Sequence, residues 1–194
     1  MLAAPVVGTR LDLYAETLAT WNARINLIGR AGQDALHTRH LADSLAVLPL
    51  LPSGARRLVD LGSGAGLPGL PVAIATGIET HLVDRDQRKC AFLREAARLT
   101  AAPVVVHQGD FFTLPSLGAD VLLSRATAAL GTLLDAGRRH ARKGGVMLLH
   151  KSDSQGDEQA LAGDAWRFDL QVFANPTDVR GRLWRIANWA PRRG

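Results

Sequence analysis

Apolar positions Leu11, Tyr14, Leu18, Trp21 and Ile25 recur at steps of three and four, the spacing of one face of an α-helix, and predict a helix over about 11–24. A second helical stretch begins near Asp34 and carries Leu36, Leu41, Leu45 and Leu48. Pro49 and Pro52 end it, because proline removes a backbone donor and its ring crowds the preceding turn. After Arg56-Arg57 the period changes. Leu58-Val59-Asp60-Leu61 is a short apolar run leading into glycines, as expected of a strand buried on both faces of a parallel sheet.

From there strand-like and helix-like stretches alternate. Strands are predicted at 80–84, 104–107, 120–124 and 146–150, and the intervening stretches 69–75, 86–99 and 128–142 are long enough for right-handed helical crossovers. The fold class is therefore α/β, an open doubly wound sheet. Near the end, 168–173 and 183–189 flank a stretch holding Asn175-Pro176 and Gly181, which predicts a terminal antiparallel hairpin. The run Ser152 to Asp157 reads as a loop before a short helix. The length of 194 residues fits one domain, with residues 1–55 a helical amino-terminal appendage and 56–194 the core.

The strand at 58–61 runs straight into Gly62-Ser63-Gly64-Ala65-Gly66. Glycines there let a ligand approach the backbone closely, at the strand end where doubly wound sheets bind nucleotides. The spacing also matches a dinucleotide fingerprint through Gly64, Gly66 and Gly69. Asp60 discriminates between the two: a carboxylate just before the glycines suits the ammonium of a methionine moiety and would repel a pyrophosphate. Asp84, about 20 residues on at the end of the next strand, fits an acceptor for ribose hydroxyls in either class. Asp86 is the better cap for the helix that follows. Asp110, after the third strand, can meet an adenine amino group. These residues favour S-adenosyl-L-methionine over a nicotinamide dinucleotide.

Composition narrows the partner. The formal charge is +5, with 20 arginines against 3 lysines and a pI near 10.3, which favours a polyanion such as nucleic acid. The 47% apolar share suits a buried core, no apolar run approaches the roughly 20 residues of a membrane span, and the amino terminus lacks a secretory pattern; a cytoplasmic protein without membrane contact is expected. Cys90 is the single cysteine, so neither an internal disulfide nor a cysteine-rich zinc site is available, and no metal is predicted. Placed in a helix, Cys90 reads as a small hydrophobe rather than a nucleophile. The chain also has no Asn/Asp-Pro-Pro-aromatic tetrapeptide of the kind that polarises an exocyclic amine.

Ser124-Arg125-Ala126 directly follows the fourth strand, at the ligand-binding edge, where an arginine suits a substrate better than a core. Lys151 ends the fifth strand in the same way. His37 and His40 read as residues of an exposed helix face.

Together these motifs resemble the small-subunit (16S) ribosomal RNA guanine-N7 methyltransferases, also called glucose-inhibited division protein B. The resemblance rests on Trp21-Asn22 with Asn26-Leu27, His40 with Asp43-Ser44-Leu45, the run from Val59 through Gly69-Leu70-Pro71, Lys89 with Phe92-Leu93, and Ser124-Arg125-Ala126. It implies a Rossmann-like class I methyltransferase sheet, cofactor contacts at Gly62, Leu67, Gly109, Asp110 and Arg125, and action on 16S ribosomal RNA or the small ribosomal subunit; a monomer is expected. Gln108 and Asp110 stand where that family commonly has arginine and glutamate. A small-molecule methyltransferase and a non-catalytic RNA-binding assembly factor are the alternatives.

Overall fold

The computed structural model describes residues 4–28, 39–125, 128–152 and 156–192. In chain order the elements are α1 (Ala4–Ile25), α2 (Leu41–Leu45) with a 3-10 turn (Leu48–Leu50), β1 (Arg57–Leu61), α3 (Gly69–Thr76), β2 (Glu79–Asp84), α4 (Gln87–Thr100), β3 (Val104–Gln108), β4 (Ala119–Arg125), α5 (Leu130–His140), β5 (Ala141–Ser152), α6 (Gly156–Ala165), β6 (Trp166–Ala174) and β7 (Gly181–Pro191). The strands form one sheet in the order β3-β2-β1-β4-β5-β7-β6. The first five are parallel, and β7 pairs antiparallel with both β5 and β6. The strand order reverses between β1 and β4, and the carboxyl ends of the strands there form the crevice in which such sheets bind ligands.

Strand alternation decides what faces what. Leu58, Val121, Leu123 and Leu148 pack with Val47 and Val72, and Leu82 packs with Tyr14, Leu18, Leu70 and Phe92, so α1, α2, α3 and α4 share one face. Val59, Leu61, Leu122, Met147 and Leu149 pack with Leu130, Leu133, Leu134 and Ala162 on the face of α5 and α6. Each large side chain buried in these layers stabilises the fold by roughly 1.5–3 kcal/mol. Tyr14 and Trp21 both set their rings against Phe92, at centroid distances of 6.4 and 5.9 Å, which fastens the amino-terminal helix to α4.

The predicted strands and the hairpin are all present. Helix α1 begins at Ala4 rather than near Leu11; Pro5 sits in its first turn, where a missing N–H breaks no helical bond. Of the helix expected from Asp34, residues 34–38 lie outside the described residues, and the rest is only the short α2 and the 3-10 turn around Pro49. Strand β5 starts at Ala141 rather than Val146, with an irregularity opposite Ala119–Val121 that Gly144 absorbs at φ 79°. Among the described residues no helix is long and apolar enough to cross a membrane.

Candidate active site

The glycine turn is held from below by Ser63. Its N–H donates to the Val83 carbonyl at 2.9 Å, and its hydroxyl accepts from Val83 N at 3.0 Å and donates to the Asp60 carbonyl at 2.9 Å. The turn's glycines serve different ends. Gly64 has φ 56°, and a Cβ on it would meet nothing nearer than the Gly62 carbonyl at 3.9 Å, so its outer side is open. A Cβ on Gly66 would come within 3.0 Å of Leu93, and one on Gly69 within 2.5 Å of Leu82 and 2.7 Å of Asp60. Those two glycines serve packing, and Gly64 presents the approachable backbone. Tyr14 braces the turn from α1: its buried hydroxyl donates to the Ala65 carbonyl at 2.6 Å, and burial pushes its pKa up, so it remains a donor.

Asp60 does not stand at the open edge, as its place before the glycines would have it. It is fully buried beneath the turn. One oxygen accepts the Gly69 N–H at 3.0 Å; the other, Oδ1, is buried with no hydrogen-bond partner among the described residues. Burial pushes its pKa up to about 7, against the pull of the Gly69 N–H and the Arg125 charge.

Asp84 does reach the turn. Its Oδ2 accepts from Gly64 N at 2.8 Å and its Oδ1 from Asp86 N at 2.9 Å, which leaves each oxygen a further lone pair. Asp86 caps α4 by accepting from Arg88 N and Lys89 N, as expected of it. Gly109 N donates to the Asp84 carbonyl at 2.9 Å, bringing the end of β3 beside the end of β2. Asp110 Oδ1 accepts from Phe112 N at 2.8 Å, and its Oδ2 lies 3.6 Å from Arg85. Leu67 is 4% exposed and belongs to the core with Tyr14, Leu18 and Leu41, so only its backbone is available to a ligand.

Arg125 ends β4 on the same sheet face as Asp60, since Asp60 is in register with Leu123, two residues before it. The guanidinium donates to Asp43 Oδ2 at 3.1 Å and lies 3.4 Å from His40 Nδ1. His150 is in register with Arg125; its Nε2 donates to the Asp43 carbonyl at 2.8 Å. Asn175, from the turn between β6 and β7, donates its Nδ2 to Asp43 Oδ1, and the Thr177 hydroxyl of the same turn lies 3.4 Å from that oxygen. Burial lowers the pKa of both His40 and His150, so neither adds a positive charge beside Arg125 near neutral pH. Asp43, His150, Asn175 and Thr177 are the members that sequence reasoning missed, although Asp43 and His40 belong to a stretch that carries the family resemblance.

Lys151 points the other way, toward α6. Its ammonium donates to both oxygens of Glu158 at 2.9 and 2.8 Å and lies 5.7 Å from the centroid of the Trp184 ring; Glu158 also accepts from Leu130 N. That buried pair ties α6 to the start of α5 and is not open to a ligand. Among the described residues no cluster of three or more His, Cys, Asp or Glu could hold a metal ion.

A glycine turn at the switch point of a sheet in this order, with acids ending β1 and β2, defines a class I methyltransferase fold. Solved structures agree on the fold. The M. jannaschii TYW2 structure in complex with AdoMet matches with a TM-score of 0.60 at 12% identity, covering 80% of this chain and 77% of that one. The ribosomal protein L11 methylase of Lactobacillus delbrueckii subsp. bulgaricus matches with a TM-score of 0.59 at 16% identity, covering 77% and 78%. The chain belongs to the GidB family, rRNA small subunit methyltransferase G, whose sequence profile matches residues 8–179. Among similar proteins bearing the name ribosomal RNA small subunit methyltransferase G, that of Rhodospirillum centenum is 44% identical over 94% of this chain and 85% of its own length. The corresponding protein of Paramagnetospirillum magneticum is 45% identical over 91% and 86%.

Proposed function

We propose that this protein transfers the methyl group of S-adenosylmethionine to N7 of a guanine in 16S ribosomal RNA. Membership of the family, together with the approachable backbone at Gly64, is the observation that carries the reading. When bound, the cofactor supplies an electrophilic methyl on a sulfonium. The residues at hand fit it: Asp84 has lone pairs for ribose hydroxyls, and Asp60 Oδ1, a buried acceptor with no hydrogen-bond partner among the described residues, is suited to a water that links it to the methionine ammonium. Gly109 and Asp110 lie where they can bracket an adenine. Gly66 and Leu67 support the turn from within, and the Leu67 backbone is its contribution to the pocket.

Guanine N7 carries no proton, so the acceptor needs no general base, and holding it in line with the methyl supplies most of the acceleration. Arg125 then orients the target base or its phosphate. N7 lies on the major-groove edge, which in an A-form helix is too deep and narrow for side chains, so the target guanine must be looped out or unpaired. The protein would work as a monomer in the cytoplasm on the small subunit or its RNA. Incubation with labelled S-adenosylmethionine and undermethylated 16S RNA, followed by nucleoside analysis, tests the reading. Label in 7-methylguanosine is expected; label on another atom, or equal activity on free nucleotides, overturns the substrate assignment.

A further inference from the structure

We infer that Asp43 is a positioning residue for Arg125, and that the turn between β6 and β7 is brought to the edge of the sheet to hold Asp43. The inference rests on the reading that Arg125 works at the substrate end. An arginine at a strand end has four side-chain torsions, and a solvated one would wander. Here it is partly buried, with 21% of its side chain exposed, against a carboxylate that is 16% exposed. Asp43 is itself fixed from two further directions. Asn175 Nδ2 donates to Oδ1 at 2.5 Å and the Thr177 hydroxyl lies 3.4 Å from the same oxygen, while His150 fixes the backbone by donating to the Asp43 carbonyl.

The clamp is clamped in turn. Asn175 is 7% exposed, and its Oδ1 accepts from Thr177 N at 3.0 Å and the Thr177 hydroxyl at 2.8 Å. A Cβ on Gly181 would lie 3.0 Å from Asn175 Nδ2, so glycine at that position keeps the amide in place. A surface ion pair needs none of this support. A reacting geometry does, because a misplacement of about 1 Å can cost about 100-fold in rate. Asp43 therefore acts through Arg125, with no contact to substrate of its own required.

The test is a double-mutant cycle on the full chain, measured with S-adenosylmethionine and undermethylated small subunits. Asp43→Asn is expected to lower kcat by about 10- to 100-fold, with cofactor Kd changed by less than about threefold and partial recovery in Asp43→Glu. In an Arg125→Ala background the same substitution should add less than about twofold, since a positioning residue has nothing left to position. Should Asp43→Asn fail to fold, Asn175→Ala decides: it keeps the ion pair, and kcat is expected to fall several-fold. Wild-type kcat in Asp43→Asn, or in Asn175→Ala where that variant decides, overturns the inference. So does a full multiplicative effect of Asp43→Asn in the Arg125→Ala background. An Arg125→Ala protein with wild-type kcat would sink the underlying reading of Arg125 instead, so the two failures are told apart.

Discussion

Around the glycine turn, polar partners are close in the chain: Asp60 and Gly69 are 9 positions apart, Asp84 and Gly64 are 20. Around Arg125 they are distant, with Asp43 82 positions away, and Asp43 in turn 107 from His150 and 132 from Asn175. The first region takes its two acids from a single β-α-β unit, and Tyr14 of α1 reaches in from 51 positions away to brace it. The second exists only when the appendage, the central strands and the terminal hairpin have all docked. The cofactor end is thus a local device, and the substrate end is a product of the whole fold.

The widest separation is expected from Arg125→Ala. Turnover on ribosomal RNA should fall by about 100-fold or more, while cofactor affinity changes far less and the protein still folds, because Asp43 keeps the Asn175 amide as a donor when the guanidinium is gone. Calorimetry alongside steady-state kinetics reads all three quantities. Loss of cofactor binding in proportion to the loss of turnover would assign Arg125 to the cofactor end and dissolve the contrast.

Within the local device, one substitution at two glycines should fail in opposite ways. Gly64→Val faces open space but forces a branched side chain into a left-handed conformation, a strain of about 1–2 kcal/mol; it should fold and lose cofactor affinity by about tenfold or more. Gly69→Val drives atoms into Leu82 and Asp60, whose contacts to a mere Cβ would be 2.5 and 2.7 Å, and overpacking of that kind costs about 1–3 kcal/mol or more. Urea unfolding of both variants checks the division. A Gly64→Val protein that binds cofactor normally would show that the ligand does not approach the backbone there.

What the amino-acid sequence made legible follows the same divide. Four of the five parallel strands are predicted to within one residue at either end because each is a short apolar run closed by turn residues, while β5 begins five residues early, at Ala141; the glycine turn, Asp84 and the capping role of Asp86 all sit at fixed offsets from those strands. Asp60 lies in β1 where the run before the glycines puts it, but its depth was not legible, because it depends on Gly69 folding back over it. Asp43, His150 and Asn175 were illegible for a different reason. Each is an ordinary polar residue on its own element, and only the Arg125–His150 register and the docking of a turn 132 positions away make them one cluster. Lys151 looked equivalent to Arg125 because both end strands, but it is one residue beyond the strand position in register with Arg125 and so falls on the opposite face.

Asp60 also gives the cofactor end a pH signature. Its folded pKa of about 7 stands above its ordinary 3.8, so between those values the folded protein holds a proton that the unfolded chain has released. Its contribution to stability is complete below about pH 4 and declines as pH rises through 7. Asp60→Asn imitates the protonated form, and its stability relative to wild type should rise by about 1–2 kcal/mol between pH 5 and pH 8, less than the full shift because buried sites relax. Denaturant midpoints at the two pH values measure it; a difference that does not move with pH would mean that Asp60 is ionised throughout. Arg125→Ala should sharpen the effect, since its charge pulls the Asp60 pKa down.

The smallest expected effect concerns the long-range field and contrasts the two edges of the sheet. Helix α1 rises from the amino edge, where Arg10 reaches the Ala101 carbonyl at the end of α4, past Tyr14 at the glycine turn, so its last turn, which carries Arg24, lies on the carboxyl side of the sheet. Arg56 precedes β1 at the opposite edge, about 15 Å or more away along the strand. Arg39 is a poorer probe because it already pairs with Asp178 at 3.2 Å, Arg57 pairs with Glu79 at 2.7 Å, and Arg30 lies outside the described residues. If ribosomal RNA approaches the carboxyl edge, Arg24→Glu should reduce the slope of log affinity against log salt by about 1 for the lost phosphate contact, and Arg56→Glu should leave it unchanged. Cofactor affinity should hold in both variants. Equal flattening by the two would mean that RNA also wraps the amino edge, and the substrate surface would then extend well beyond the region organised by Asp43.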